Sequence, residues 1–171
     1  MNRYLITGCT GFIGRHILHA LAQENVTIHC LTRQRSIDSF YPSIDFTHGH
    51  ITKPQSLAGV ARNIVTIIHA AGQAHSYKSD PEVHKRTTLE GTRNLLVEAE
   101  KHSVKRFIFI SSVKAMSKSC CDCLDESETS LPTDAYGLYR REAEELVLDA
   151  GQRTGMHVSI LRPALVYGTG C

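Results

Sequence analysis

Short apolar runs and amphipathic segments alternate along the whole chain. The apolar runs predict strands at residues 4–7, 26–32, 44–47, 65–70, 107–110 and 158–161. The segments between them have the helical spacing of apolar positions, at residues 13–22, 55–62, 81–101 and 135–154. Strands that alternate with helices of this length form right-handed β-α-β units. The pattern therefore predicts a doubly wound α/β domain, with one parallel sheet and helices on both of its faces.

Polar and glycine-containing segments follow the predicted strands at one edge of that sheet. In doubly wound sheets, ligands bind outside the carboxyl ends of the strands. The residues at this edge are Gly8 to Gly14, Arg33, Arg35, Ala71, Gly72, Ser111, Ser112, Arg162 and Pro163. The polar stretch 117–134 is the longest loop and is expected to cover the same edge. We therefore expect the binding site there.

Three glycines follow the first predicted strand at a spacing of three residues. Gly8 permits a tight turn, Gly11 lets a phosphate approach the backbone, and Gly14 lets the next helix pack closely on the strand. Amide groups at the start of that helix, with the positive end of its dipole, favour a pyrophosphate. The spacing G-x-x-G-x-x-G differs from the commoner G-x-G-x-x-G. The segment predicts a dinucleotide site, with a tight turn before an ordinary helix as the alternative.

Composition excludes few functions. The 171 residues suit one domain, 1–171, and a net charge of +2 is too small to indicate nucleic-acid binding. No apolar run approaches the roughly 18 residues of a membrane span, and the amino terminus does not resemble a signal peptide, so a cytoplasmic protein is expected. Cys120, Cys121 and Cys123 are clustered, but no second ligand pair follows at zinc-site spacing. A solvated loop is therefore favoured over a metal site.

The residues after the second predicted strand bear on the choice of coenzyme. An acidic residue there would pair with the ribose hydroxyls of NAD. Arg33 and Arg35 stand there instead, and guanidinium groups form charge-assisted bonds with a 2′-phosphate. The sequence therefore favours NADP, with NAD as the alternative. Both arginines could also be solvated loop charges.

Six motifs, taken in order, resemble the extended short-chain dehydrogenase/reductase family of nucleotide-sugar epimerases, dehydratases and reductases. They are T-G-C-T-G-F-I-G at 7–14, H-A-A-G at 69–72, G-T-R-N-L-L at 91–96, F-I-F-I-S-S at 107–112, the helix that opens with Tyr136, and R-P-A-L-V-Y-G at 162–168. The resemblance covers essentially the whole chain. Within the family, the chain looks most like bacterial UDP-sugar 4-epimerases and 4-ketoreductases of surface-polysaccharide synthesis.

The resemblance implies a coenzyme site and a reaction. The implied coenzyme-binding residues are Gly8, Thr10, Gly11, Phe12, Ile13, Gly14, Arg33, Arg35, Ala70, Ala71, Gly72, Ser111, Tyr136, Arg140 and Pro163. The implied reaction is hydride transfer at C4 of a nucleotide-sugar. Tyr136 would be its acid/base and Ser112 would hydrogen-bond the substrate hydroxyl or keto group. The alternatives are that Tyr136 is a plain helix residue and Ser112 a turn residue.

Three positions depart from the family pattern. Arg140 stands four residues after Tyr136, on the same helix face, where the family has a catalytic lysine. A permanent cation still favours a phenolate, but a guanidinium does not release a proton to pass it along. Weakened or absent turnover is therefore expected. Thr88 replaces an asparagine, and His50 replaces an aspartate that meets the adenine, so the adenine contact is in doubt.

In the resembled family, the glycine turn at 168–170 leads into a smaller lobe that holds the nucleotide-sugar, and the 171 residues do not include it. We therefore expect a cofactor-binding half with exposed apolar surface that favours self-association. Family members often dimerise through two long helices, here residues 81–101 and 135–154. Three hypotheses stay open: an NAD(P)-dependent epimerase or reductase or its cofactor half, a non-catalytic NAD(P)-binding module, and a remnant that folds but binds little.

Overall fold

Six parallel strands form a single sheet in the part of the chain that the structure describes. The computed structural model describes residues 2–34, 44–73, 80–116, 125–127 and 130–171. The strands are β1 (Arg3–Thr7), β2 (Thr27–Thr32), β3 (Asp45–His48), β4 (Thr66–His69), β5 (Arg106–Ile110) and β6 (His157–Leu161). Their order is β3-β2-β1-β4-β5-β6, so the direction of winding reverses between β1 and β4. The predicted doubly wound sheet is confirmed.

The central strand β4 is buried on both faces, and the edge strand β6 is not. Every residue of β4 is buried, as expected of a strand in a parallel sheet covered on both sides. Along β6, by contrast, exposed and half-buried residues alternate. The register pairs Thr7 of β1 with Leu31 of β2 and with His69 of β4. The carboxyl ends of these three strands therefore lie at one level.

Helices cover both faces of the sheet. On one face, Leu18 of α1 (Phe12–Leu21) packs with Ile6 of β1. On the other face, α3 (Gly91–Lys101) and α4 (Ala135–Thr154) pack against the sheet, and the core there includes Leu95, Val147 and Leu5. Leu5 and Ile6 belong to opposite cores because successive side chains of a strand point to opposite faces.

The predicted helix at 81–101 is helical throughout but changes its winding in the middle. It begins as α2 (Pro81–His84), where the Asp80 carboxylate accepts the Glu82 N–H at 2.9 Å. A π-helical turn, Lys85–Glu90, then joins α2 to α3. At its end the Gly91 N–H reaches back to the Arg86 carbonyl, five residues earlier. The wide turn re-aims the residues that follow it relative to a uniform α-helix.

The predicted helix at 55–62 is wrong. Only a 3-10 turn, Pro54–Leu57, forms there. Ala58 has an extended ψ of 116° and Gly59 a left-handed φ of 77°, and neither conformation continues a helix. The Gly59 N–H donates instead to the Glu98 carboxylate at 2.7 Å. This contact fixes the loop to α3.

The longest helix, α4, has 20 residues and defined ends. Its first turn is capped by the Asp134 carboxylate, which accepts the Gly137 N–H at 2.8 Å. It stops at Gly155, whose φ of 73° is left-handed. Within the described ranges, no helix joins the length and the apolar character that a membrane crossing demands.

Candidate functional site

A cavity of about 300 Å³ opens at the carboxyl edge of the sheet. The segments that follow β1, β2, β3 and β4 line it, together with one residue of the π-helical turn. The lining residues are Thr7, Gly8, Thr10, Gly11, Leu31, Thr32, Arg33, Gly49, His50, Ile51, Ala70, Ala71, Gly72, Gln73 and Thr87. Because β1 and β4 flank the point where the winding reverses, the cavity lies at the topological switch point of the sheet.

The glycine loop forms one wall of the cavity, and side chains do not fit at two of its positions. A Cβ at Gly8 would lie 2.6 Å from the Ala71 nitrogen, and Gly8 has a left-handed φ of 73°. A Cβ at Gly14 would lie 2.0 Å from the Gly8 carbonyl oxygen. The loop is therefore packed between the end of β4 and the first turn of α1, which brings its backbone to the cavity surface.

The first amide groups of α1 precede the hydrogen bonds within the helix, and no side chain of a described residue caps them. Gly11 is its N-cap residue and supplies no side chain, and no acidic residue lies in the first turn. The first bond inside the helix runs from the Arg15 N–H to the Gly11 carbonyl, at 3.0 Å. The amides of Phe12, Ile13 and Gly14 precede it and have no intrahelical partner. This arrangement suits an anion such as a diphosphate.

A buried chain of hydrogen bonds fixes the ends of β1 and β4 beneath the cavity. The Thr92 hydroxyl donates to the Thr88 carbonyl at 2.5 Å, so it accepts from Nε2–H of His69 at 3.0 Å. His69 Nδ1 is then an acceptor and receives the Thr7 hydroxyl at 2.6 Å. The Thr7 oxygen in turn accepts the Ala71 N–H at 3.2 Å.

Every bond of this chain has a defined direction, which requires a neutral His69 with its hydrogen on Nε2. Burial, and then the charge of Arg140, lower the pKa of His69 to about 3. A neutral ring is therefore maintained at physiological pH. This series of hydrogen bonds holds the Ala71 amide in place at the cavity rim.

Arg140 is buried between α4 and the end of β5. Its Nη1 donates to the Ile110 carbonyl at 2.5 Å, and its Cζ lies 5.3 Å from the centroid of the Tyr136 ring and 5.8 Å from that of Phe109. Burial lowers the pKa of Arg140 from its ordinary value, while Tyr136 and Glu144 oppose that shift. The arginine is thus placed as a fixed cation beside the tyrosine.

The same guanidinium reaches the rim of the cavity. Its Nη2 lies 2.8 Å from the position that a Cβ on Gly72 would occupy. Its Nε is buried and makes no hydrogen bond to any residue in the described part of the chain. The Tyr136 ring also packs edge-on against the His84 ring, with the two ring centroids 5.6 Å apart. Arg140 therefore adjoins the cavity at Gly72, and Tyr136 lies beside Arg140.

Ser112 and Tyr136 lie on adjoining elements. The Ser112 oxygen accepts the Lys114 N–H at 3.2 Å and caps a 3-10 turn, Val113–Ala115, directly after β5. A Cβ on Gly137 would lie 2.3 Å from the Lys114 carbonyl oxygen. Close packing at Gly137 therefore seats the start of α4 on the turn that carries Ser112.

Ser111 and Pro163 lie outside the cavity. The buried Ser111 hydroxyl donates to the Glu144 carboxylate, which Arg162 also binds, with Nη2 and Oε2 2.6 Å apart. The structure thus uses Ser111 as a brace between β5 and α4. Pro163 borders a second, apolar groove beside Ile13 of α1.

The structure brings together most of the predicted coenzyme residues. Those that line the cavity are Gly8, Thr10, Gly11, Arg33, Ala70, Ala71 and Gly72. Phe12, Ile13 and Gly14 form the adjoining turn of α1. Arg35 and the clustered cysteines Cys120, Cys121 and Cys123 lie outside the described residues.

Sequence reasoning did not assign several lining residues. Thr7, Thr32 and Gln73 sit at or just after strand ends, so the rule that ligands bind at this edge could have found them. Thr87 carries no such signal, because only the π-helical turn places it against the cavity.

A doubly wound parallel sheet with a glycine loop at its switch point defines the Rossmann-type class of domain. The chain belongs to the NAD dependent epimerase/dehydratase family, whose model matches residues 4–170. It is 30% identical over 172 residues to the UDP-glucose 4-epimerase of Vibrio cholerae, across 97% of this chain and 52% of that protein. The chain thus spans about half the length of this curated relative.

Solved structures of family enzymes share the fold. The UDP-glucose 4-epimerase of Thermotoga maritima, solved with UDP-glucose, superposes with a TM-score of 0.88 at 25% identity, over 97% of this chain and 56% of that one. The UDP-glucose 4-epimerase of Brucella ovis, in complex with NAD, superposes with a TM-score of 0.83 at 26% identity, over 95% of this chain and 51% of that one.

Proposed function

We propose that this chain binds a nicotinamide dinucleotide, NADP in preference to NAD, and forms the cofactor half of a nucleotide-sugar epimerase or reductase. The observation that carries the proposal is the glycine loop, with the uncapped start of α1, at the mouth of the switch-point cavity. Similarity to UDP-glucose 4-epimerases supports a UDP-sugar substrate and chemistry at C4. When bound, the coenzyme supplies the hydride acceptor or donor.

The residues that would hold the coenzyme fit it. The loop from Gly8 to Gly14 offers backbone amides to the diphosphate. Arg33 lies at the end of β2, where a 2′-phosphate would form charge-assisted bonds. Arg35, two residues on, is proposed to add a second charge.

In the proposed reaction, Tyr136 moves the proton of the sugar hydroxyl and Ser112 orients that hydroxyl. The Cζ of Arg140 lies 5.3 Å from the centroid of the Tyr136 ring, which places a fixed cation beside the proposed acid/base. The bond from Arg140 to the Ile110 carbonyl holds the guanidinium in that place. A guanidinium does not pass a proton onward, so proton exchange with solvent needs another route.

A second candidate function is a dinucleotide-binding module without hydride transfer. The buried Arg140, in the position of a catalytic lysine, favours it. The absorbance of NADPH distinguishes the two functions. When this chain is joined to a related carboxyl lobe, an enzyme consumes NADPH in the presence of a 4-keto nucleotide-sugar, whereas a binding module does not.

We also propose a homodimer through the helices of residues 81–101 and 135–154, to be tested by sedimentation.

Thermal melting with NADPH and NADH tests coenzyme binding. A coenzyme at 100 times its Kd stabilises the fold by roughly 2.7 kcal/mol. We expect Thr10→Glu to abolish the gain, because a carboxylate in the loop repels the diphosphate. Gln23→Glu adds the same charge just beyond the other end of α1 and should keep the gain. No stabilisation of the wild-type chain by either coenzyme would favour a remnant that binds little.

A further inference from the structure

Three basic side chains from separate segments act through their charges on His50, which lines the cavity. Arg33 follows β2, Lys53 lies in the turn after β3, and Arg86 belongs to the π-helical turn. The charge of each acts on His50, and no carboxylate of a described residue opposes them. His50 and Arg33 both line the cavity, and Arg86 precedes the lining residue Thr87 in the chain. The three charges make the surroundings of His50 electropositive.

The orientation of the His50 ring is fixed by Thr52. Nδ1 of His50 receives the Thr52 N–H at 3.2 Å and lies 2.9 Å from the Thr52 hydroxyl. A main-chain N–H can only donate, so Nδ1 is an acceptor and the ring hydrogen is on Nε2. Nε2 makes no hydrogen bond to any residue that the structure describes. His50 therefore has one N–H donor to offer a ligand.

His50 is held in its neutral form. Burial lowers its pKa, and the charges of Arg33, Lys53 and Arg86 lower it further. The Thr52 N–H opposes a second ring proton, because it already occupies Nδ1. The residue is thus a fixed neutral donor among cations, a combination that selects an anionic acceptor. The exocyclic amine of adenine is itself a donor and does not match it.

We propose that His50, Arg33 and Arg86 form a phosphate subsite at the adenosine end of the cavity, and that His50 determines specificity for a 2′-phosphorylated coenzyme. The inference rests on the proposed coenzyme function and deepens it. It assigns a role to a residue of the π-helical turn, Arg86, which lies 53 positions after Arg33 in the chain.

Equilibrium binding of NADPH and NADH, followed by the fluorescence of the reduced nicotinamide, tests the subsite. We expect Arg86→Gln to weaken NADPH binding about tenfold, the effect of losing one charged hydrogen bond, and to leave NADH binding unchanged. Arg93→Gln is the matched control, since Arg93 is exposed on α3 and does not line the cavity. It should change neither affinity.

His50 is tested by a pair of substitutions. His50→Asp places a carboxylate against the phosphate and should reverse the preference towards NADH, whereas His50→Gln keeps an N–H donor and should retain most of the preference for NADPH. Equal losses for both coenzymes in Arg86→Gln and His50→Asp, or equal affinities of the wild-type chain for both, would overturn the subsite and leave coenzyme binding standing. A wild-type chain that binds neither coenzyme would overturn both proposals.

Discussion

At the scale of residues, burial decides what an ion pair contributes. Arg162 and Arg153 each form a two-pronged pair with a glutamate. The Glu144 side chain beneath Arg162 is 1% exposed, whereas Arg153 is 55% exposed in its pair with Glu100. Removing one partner from a buried pair leaves an uncompensated charge, but water compensates an exposed one. The two pairs therefore differ in energetics despite similar geometry.

We expect Arg162→Met to lower the free energy of unfolding by about 3–5 kcal/mol, because it leaves the Glu144 carboxylate buried without its cation. Arg153→Met is the matched control and should cost little, since its partner stays in contact with solvent. Urea unfolding of the two variants measures both changes. Similar losses in the two would show that burial is not the deciding factor.

The depressed pKa of His69 predicts a pH dependence of stability. An unfolded histidine has a pKa of about 6.5, and the folded value is about 3. Between these values the unfolded chain binds a proton that the folded chain does not, so stability falls as the pH is lowered through this window. The loss attributable to His69 should be on the order of 2 kcal/mol at pH 5.

Urea unfolding at pH 7 and pH 5 measures this loss. His69→Gln should show a smaller decrease than wild type, although its stability at pH 7 is lower because the hydrogen-bond chain is broken. The control is His157→Gln, which alters an exposed histidine of β6 and should keep the wild-type decrease. An unchanged decrease in His69→Gln would contradict the prediction.

The sequence identifies Arg140 by its distance from Tyr136 along a helix, but not its surroundings. Its bond to the Ile110 carbonyl and its approach to Gly72 depend on how α4 lies across β5 and the end of β4. Those contacts join residues far apart in the chain, and spacing within one helix carries no information about them. For the same reason, the sequence does not predict the series of hydrogen bonds through His69.

At the scale of elements, the start of α4 depends on one glycine. A Cβ at Gly137 would lie 2.3 Å from the Lys114 carbonyl, a backbone atom that cannot turn aside. At Gly91, by contrast, the nearest atom is the tip of the Ile51 side chain, at 2.8 Å. A side chain relaxes more readily than backbone, so the two helical glycines should respond differently to the same added methyl group.

We expect Gly137→Ala to lower the free energy of unfolding by about 1–3 kcal/mol or more, the range for overpacking. Gly91→Ala should cost less, since Ile51 can change rotamer and alanine favours a helix by about 1 kcal/mol over glycine. Thermal or urea unfolding compares them. A smaller loss at Gly137 than at Gly91 would contradict the argument from the Lys114 carbonyl.

The predicted elements succeed where periodicity is strong. The strand at 107–110 and the helix at 135–154 were found because apolar runs and helical spacing are clear there. The helix predicted at 55–62 is wrong because the apolar spacing there fits a helix, whereas Gly59 adopts a left-handed conformation that ends one. The π-helical turn Lys85–Glu90 has the same apolar spacing as an α-helix over so short a stretch, so the pattern could not separate them.

At the scale of the whole molecule, the topology of the chain determines where the cavity lies, and the side chains determine what lines it. Alternating strands and helices were enough to predict a doubly wound sheet and a site at its carboxyl edge. The fold then gathers Gly8, Arg33, His50 and Gly72 around one space, although they follow four different strands. The sequence could place each at the edge, but the effect of the Arg86 charge on His50 required the structure.

The outermost strand, β6, has a consequence for handling the protein. Among the described residues it has a neighbouring strand on one side only, so the alternate backbone groups on its other side pair with no strand in that part of the chain. Such a bare edge is a template for another extended chain. Exposed side chains of β6, such as Leu161 at 50%, add an apolar contact to that template. Concentrated samples will therefore be prone to edge-to-edge aggregation, and a lysine in place of Leu161 should delay it.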